Sequence, residues 1–230
     1  TTRQEEVKAE LAALASGEWD AVVVAHSSFG FIPLPADAEE NILRGEVEES
    51  SNALDTMRKS EGKKWRSFKR LEKRKDRISE RLDRIAERGR DDLLDFAEMG
   101  VDALVVDEAH EFKNLHFVTT QRNVAGLGNP EGSKKAFDLF VKMRYLEGVH
   151  QGKNRVFLTG TPVSNTLSEV FHFQRYLQYD AMRRLNLTQF DAWSSTFGAM
   201  VADWEMDAAG RFKEKKRFSK FANLPELRTM

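Results

Sequence analysis

The stretch Leu104-Val105-Val106-Asp107-Glu108-Ala109-His110 decides the fold of this chain. An apolar run that begins at Ala103 leads directly into two adjacent carboxylates, and a histidine follows two residues later. A short continuous apolar run predicts a strand buried on both faces, as in the parallel sheet of an α/β domain. Ligands of such sheets bind outside the carboxyl ends of the strands. Asp107 and Glu108 are therefore predicted to lie where a ligand binds, and paired carboxylates suit a hard cation such as Mg²⁺.

A second apolar run, Val156-Phe157-Leu158, predicts a neighbouring strand that brings Thr159, Gly160 and Thr161 to the same edge of the sheet. The two hydroxyls supply hydrogen bonds, and the glycine allows close approach of the backbone. Further along, Thr166 and Glu169 have the spacing of a capping box, which predicts that a helix starts there. The sequence thus places polar groups at the ends of two strands.

The run Ala21–Ala25 predicts a third strand of the same sheet. His26 and Ser27 follow it, at the predicted carboxyl end. Two interpretations stay open for these residues: a contact with nucleic acid, or a polar strand end packed under a loop.

Composition limits the classes of protein that the chain can represent. It has 230 residues, enough for one sizeable core and an appendage, and 32% of them are charged. With no cysteine there is no disulfide framework and no thiolate metal site, which fits a reducing cytoplasm. No apolar run approaches the roughly 18 residues of a membrane-spanning helix. We therefore expect a cytoplasmic protein without a membrane partner.

Residues 37–90 form a charged segment without proline, which predicts an inserted helical hairpin. Of the ten positions spaced alternately by three and four from Leu54 to Ile85, seven are apolar, as along a coiled-coil seam. From Asp55 to Arg90 there are 15 basic and 7 acidic residues, although the net charge of the chain is −1. The arm either binds a phosphate backbone or is a solvated helix pair with internal ion pairs.

The C-terminal part, residues 181–230, is predicted to hold a helix and a basic, aromatic hairpin. Phe190, Trp193 and Phe197 have helical spacing and are predicted to be core residues. Farther on, basic and aromatic residues alternate between Arg211 and Phe221. Either the basic residues bind a nucleic-acid strand, or this is an edge hairpin with Phe212, Phe218 and Phe221 inward. The basic residues concerned are Lys213, Lys215, Lys216 and Arg217.

Two strings carry a resemblance to a known family. The first, LVVDEAHEFKN, resembles motif II, the Walker B or DEAH box, of superfamily-two helicases and translocases. The second, VFLTGTPVSNTLSEVFHFQRYL at 156–177, resembles motif III of the Swi/Snf-type branch. With RNVAGLGNPEGSKKAFDLF and FDAWSSTFG, they are similar to the helicase part of very large phage and plasmid proteins. Those proteins fuse a Swi/Snf-like helicase to an adenine-specific DNA methylase.

The resemblance implies a partial RecA-like lobe of the α/β class, with a mostly parallel sheet flanked by helices. Residues 1–36 would begin the lobe, and residues 91–180 would complete it with motifs II and III. Asp107 would hold Mg²⁺ through water, and Glu108 would orient or deprotonate the attacking water. His110 would connect the nucleotide site to Thr159 and Thr161. The implied cofactors are ATP and Mg²⁺, and the implied partners are duplex DNA and the rest of a prokaryotic, phage or plasmid protein.

The chain departs from the family in lacking a P-loop. Its only Gly-Lys pairs, Gly62-Lys63 and Gly152-Lys153, do not have the G-x-x-x-x-G-K-[ST] pattern that cradles phosphates. The second lobe is missing as well, so this stretch alone is expected to bind ATP poorly. The interpretation is a fragment of an ATP-dependent DNA helicase or translocase; the alternative is an inactive DNA- or protein-interaction module. A zinc site at His110, Glu111 and His116 is disfavoured because the chain has no H-E-x-x-H and no cysteine.

Overall fold

A computed structural model describes most of the chain, namely residues 12–13, 17, 19–59, 65–87, 95–119, 121, 124–125, 127, 130–163, 166, 168–206 and 210–230. Its helices are α1 (His26–Phe29), α2 (Ala36–Lys59), α3 (Trp65–Glu87), α4 (Lys134–Val149), α5 (Ser168–Leu177), α6 (Tyr179–Arg184), α7 (Phe190–Phe197) and α8 (Leu224–Thr229), with a 3-10 helix at Ala109–Phe112. The strands are β1 (Leu104–Val106), β2 (Val124–Ala125), β3 (Arg155–Phe157), β4 (Gly198–Met206) and β5 (Phe212–Phe221). The mixed α/β class, with a small parallel sheet flanked by helices, confirms the predicted partial α/β lobe.

The chain divides into two compact units. The first comprises residues 1–63, 68–104 and 145–154, and the second comprises residues 64–67, 105–144 and 155–230. The four-part division predicted from the sequence stays a prediction.

The first unit contains the inserted helical hairpin of α2 and α3. Arg81 Nη2 lies 2.5 Å from Glu39 Oε1, and Arg74 pairs with Glu46 seven residues away on each helix. One residue number rises as the other falls, so the two helices are antiparallel. The predicted seam is present, with apolar residues buried along it: Leu54, Leu71, Ile78 and Ile85. The connection between the two helices, residues 60–64, lies outside the described residues.

The predicted strand at residues 21–25 is wrong. The structure has no strand there, Val23 is fully exposed, and α1 begins immediately afterwards at His26. An apolar run becomes a strand only where a neighbouring strand takes up its backbone hydrogen bonds. The parallel sheet of the described chain therefore contains two of the three predicted strands, β1 and β3.

Strands β1 and β3 run parallel and place their carboxyl ends side by side. Leu158 N donates to Val106 O at 2.8 Å, and Leu104 N donates to Asn154 O at 2.9 Å. One face of this sheet packs on α5, where the Phe157 ring lies 5.3 Å from that of Tyr176. The opposite face is open, with Val105, Val156 and Leu158 about half exposed.

The core of the second unit lies under α5, α6 and α7. Phe190, Trp193 and Phe197 are buried there, which confirms the core stripe predicted from helical spacing. Five further side chains complete the cluster: Phe117, Leu127, Phe171, Met182 and Leu187.

The second unit also contains a three-stranded sheet, with its strands in the order β2-β5-β4. Strands β4 and β5 form an antiparallel hairpin, with Met206 opposite Phe212 and Gly198 opposite Phe221. Phe221 is partly buried, but Phe212 is 66% exposed, so the prediction that Phe212 points inward is wrong. The side chain of Phe218 lies outside the described residues. Phe212 pairs with Met206 at the end of the ribbon farthest from Gly198 and α7, where little protein surrounds the ring.

Candidate functional site

The two predicted carboxylates lie at the carboxyl end of β1. Asp107 Oδ1 accepts a hydrogen bond from Glu108 N at 2.9 Å, and both residues are exposed. Glu108 has φ 48° and ψ 45°, in the left-handed region. That conformation is unfavourable by about 1–2 kcal/mol for a residue with a Cβ. Gln151 and three asparagines elsewhere in the chain also have a positive φ, so the backbone of Glu108 fits a functional role but does not by itself identify one.

His110 lies on the 3-10 helix and faces the end of β3. Its Nδ1 is 3.1 Å from Glu108 Oε2 and 3.5 Å from Thr159 Oγ1. The first distance is that of a hydrogen bond, whereas the second is at the outer limit. His110 therefore connects the carboxylate after β1 with the hydroxyl after β3.

The segment after β3 is held against the segment after β1 by its backbone as well. Ala109 N donates to Leu158 O at 2.9 Å, and Thr161 N donates to Thr159 Oγ1 at 3.1 Å. The predicted contact of the Thr161 hydroxyl with His110 stays a prediction. Nothing lies within 4 Å of the place that a Cβ of Gly160 would occupy, and the role predicted for this glycine stays a prediction.

Two contacts behind this site were not predicted from the sequence. Lys113 Nζ lies 3.3 Å from Glu169 Oε1, and the Glu169 side chain is only 5% exposed. The capping-box spacing predicted that the Glu169 side chain would cap the start of its own helix. In the structure its carboxylate instead pairs with Lys113, which follows the 3-10 helix. The Tyr176 hydroxyl, also from α5, lies 3.0 Å from Phe112 O. Helix α5 therefore fixes the position of the segment that carries Glu108 and His110.

The predicted nucleic-acid contacts lie elsewhere. His26 is half-buried and Ser27 is exposed on the short helix α1 of the first unit. Because no strand precedes them, the argument that placed them at a sheet edge no longer applies. The four basic residues of the tail occupy β5, where Lys213, Lys215, Lys216 and Arg217 lie opposite Glu205, Asp203, Ala202 and Val201.

A zinc site at His110, Glu111 and His116 finds no support. His116 is buried against the Phe137 ring, and Glu111 pairs with Lys135 at 2.6 Å. Among the described residues, no three His, Cys, Asp or Glu side chains are grouped closely enough to hold a metal ion.

A buried histidine of helix α5, His172, makes stability depend on pH. Burial, with a smaller effect of the Arg175 guanidinium, lowers the pKa of His172 to about 3. In the unfolded chain the pKa is about 6.5, so His172 favours the folded state above pH 6.5, and this contribution is lost as the pH falls. Between pH 6.5 and 5 we expect His172 to remove about 1.5 kcal/mol from the free energy of unfolding. In urea denaturation across this range, the free energy of unfolding of His172→Gln should fall less steeply with falling pH than that of the wild type.

The matched control is Phe171→Leu at the neighbouring buried position, which removes no ionisable group. This variant should keep the pH dependence of the wild type. If the free energy of unfolding changed equally with pH in the wild type and in His172→Gln, the prediction would be contradicted.

A comparison with protein-family models identifies the class. The model described as "Probable helicase domain" matches residues 2–230, and the chain belongs to that family. Among curated proteins, the chain is similar to Defense against restriction protein B of Escherichia phage P1, with 27% identity over 135 residues. The match covers 58% of this chain and 6% of the phage protein, so the chain spans a small part of that relative's length. No solved structure matches the chain. Within the part of the chain that the structure describes, no helix is long and apolar enough to cross a membrane.

Proposed function

We propose that this chain is part of the ATP-hydrolysing lobe of a Swi/Snf-type DNA translocase or helicase of superfamily two. The observation that carries the proposal is the contact of His110 with both Glu108 and Thr159, at 3.1 and 3.5 Å. It joins the segments that resemble motifs II and III in one place. Membership of the helicase-domain family and the phage relative support the same class.

The residues at this edge have the chemistry that a nucleotide site needs. Carboxylate oxygens are the ligands that Mg²⁺ prefers, and Asp107 would hold the ion through water. Mg²⁺ with ATP would supply the phosphoryl group and the charge that stabilises its transfer. Glu108, exposed and held in the left-handed conformation, would orient the attacking water and accept its proton. His110 would act as a positioning residue for Glu108, because its Nδ1 lies 3.1 Å from that carboxylate.

The same contacts suggest how hydrolysis is coupled to DNA. A change in the position of Glu108 would reach Thr159 through His110, and the bond from Ala109 N to Leu158 O ties the two backbones together. A P-loop and a second lobe would have to come from other parts of the full-length protein. A methylase domain fused to the helicase, as in the large phage and plasmid proteins, belongs to the same proposal.

The test is ATP hydrolysis by the full-length protein with and without duplex DNA. We expect turnover within the usual enzymatic range of about 1–1000 s⁻¹, stimulated by duplex more than by single-stranded DNA. Absence of hydrolysis with either DNA would overturn the proposal and favour the inactive interaction module.

A further inference from the structure

A partly buried ion pair lies at the end of the 3-10 helix that follows Glu108. Glu108 is the N-cap of this helix, and Lys113 comes directly after its last residue. Lys113 Nζ lies 3.3 Å from Oε1 of Glu169, in the first turn of α5. The Glu169 side chain is 5% exposed and the Lys113 side chain is 24% exposed. The pair therefore joins α5 to the segment that carries the predicted catalytic carboxylate.

Burial distinguishes this pair from the exposed ion pairs of the chain. An exposed pair contributes little, because water screens both charges. A buried carboxylate that loses its partner is unfavourable, so Glu169 strongly restricts where Lys113 can lie. Lys113 N in turn donates to His110 O at 3.3 Å, and Glu111 N donates to Glu108 O at 2.9 Å. A shift of Lys113 would therefore be passed along the short helix to His110 and Glu108.

Helix α5 holds the same segment at a second point. The Tyr176 hydroxyl lies 3.0 Å from Phe112 O and 2.9 Å from Ala136 O, and the Tyr176 side chain is completely buried. Tyr176 follows Glu169 by about two helical turns and so lies on the same face of α5. One face of this helix thus fixes the end of the 3-10 helix through both an ion pair and a hydroxyl group.

We propose that the pair of Lys113 and Glu169 positions Glu108 for ATP hydrolysis. The two side chains act through the backbone of the 3-10 helix, so they are positioning residues and not catalytic ones. Without the pair, ATP would still bind, but Glu108 would move relative to the attacking water, and a misplacement of about 1 Å can slow an enzyme about 100-fold. The pair also gives the two motif-like segments a connection that does not pass through His110 and Thr159. The inference rests on the proposed function for the reaction that the pair serves.

The experiment compares kcat and KM for ATP in the full-length protein at saturating duplex DNA. Glu169→Gln and Lys113→Met should each lower kcat about 10-fold and leave KM within about 2-fold of the wild type. The double variant should be no slower than either single variant, because both substitutions remove the same interaction. Lys113→Arg keeps the positive charge and should retain most of the wild-type kcat.

The matched control is Glu39→Gln on α2. The Glu39 side chain is also 5% exposed, and its partner Arg81 is 22% exposed, so the burial of this pair closely matches that of Glu169 and Lys113. The substitution removes an equally buried carboxylate charge from a different part of the chain. Its kcat should equal that of the wild type.

Hydrogen exchange of the same full-length proteins, measured by mass spectrometry, reports how well residues 108–113 are held whether or not ATP is hydrolysed. Exchange in this segment should be faster in Glu169→Gln than in the wild type, and unchanged in Glu39→Gln. Unchanged exchange or unchanged kcat in Glu169→Gln would overturn the inference, as would an equal loss of kcat in Glu39→Gln. A wild type without turnover would overturn the proposed function instead, and exchange would then still decide whether the pair holds the segment.

Discussion

Replacing Glu108 by glutamine should lower duplex-stimulated ATP hydrolysis by the full-length protein by at least about 100-fold. Glutamine preserves the size of the side chain and can keep a hydrogen bond to His110, whose Nδ1 lies 3.1 Å from the carboxylate. It cannot accept a proton from the attacking water. DNA binding, measured separately, should remain within about 2-fold of the wild type, because the substitution removes no basic residue.

Glu111→Gln provides the matched control for this prediction. Glu111 lies three residues away on the 3-10 helix, is exposed, and pairs with Lys135 at 2.6 Å. An exposed pair contributes little, so turnover should change less than about 2-fold. If Glu108→Gln hydrolyses ATP as fast as Glu111→Gln, the catalytic role of Glu108 is wrong.

Replacing Trp193 by alanine should lower the free energy of unfolding by about 3–5 kcal/mol. Trp193 is completely buried, lies 5.5 Å from the Phe171 ring, and donates from Nε1 to Gln174 Oε1 at 2.6 Å. The substitution leaves a cavity in the core of the second unit and removes the partner of Gln174. Urea denaturation followed by circular dichroism measures the change.

The comparison variant is Trp204→Ala, which deletes the same side chain from an exposed position. It should change the free energy of unfolding by less than about 0.5 kcal/mol. Similar destabilisation by both variants would mean that the core is not centred on Trp193.

Local sequence patterns predicted the parts of the fold that depend on local periodicity. The seam through Leu71, Ile78 and Ile85 repeats every seven residues, and the structure buries all three. The runs before Asp107 and Thr159 became β1 and β3 because each is the other's hydrogen-bonding partner. The equally apolar run at 21–25 has no such partner in a described strand. Periodicity identifies a strand-forming sequence, but pairing decides whether the strand forms.

The contacts around the candidate site were less predictable, because they join residues distant in sequence. The motif resemblance singled out Glu108 and His110, yet nothing local indicates the left-handed backbone at Glu108. Lys113 and Glu169 are separated by 56 positions, and only the fold brings their charges together. Likewise, the alternation of rings and lysines in β5 predicted a strand but not how far the strand extends beyond the core.

The helical hairpin of the first unit has a mechanical consequence. Helix α2 has 24 residues, which at 1.5 Å per residue gives an arm about 36 Å long. The ion pairs Glu39–Arg81 and Glu46–Arg74 bind the two helices to each other at two points, which resists their sliding past one another. Such an arm acts as a stiff lever: a rotation of about 10° at its base would carry the far end through about 6 Å. A small angular change is thus converted into a displacement larger than one turn of helix.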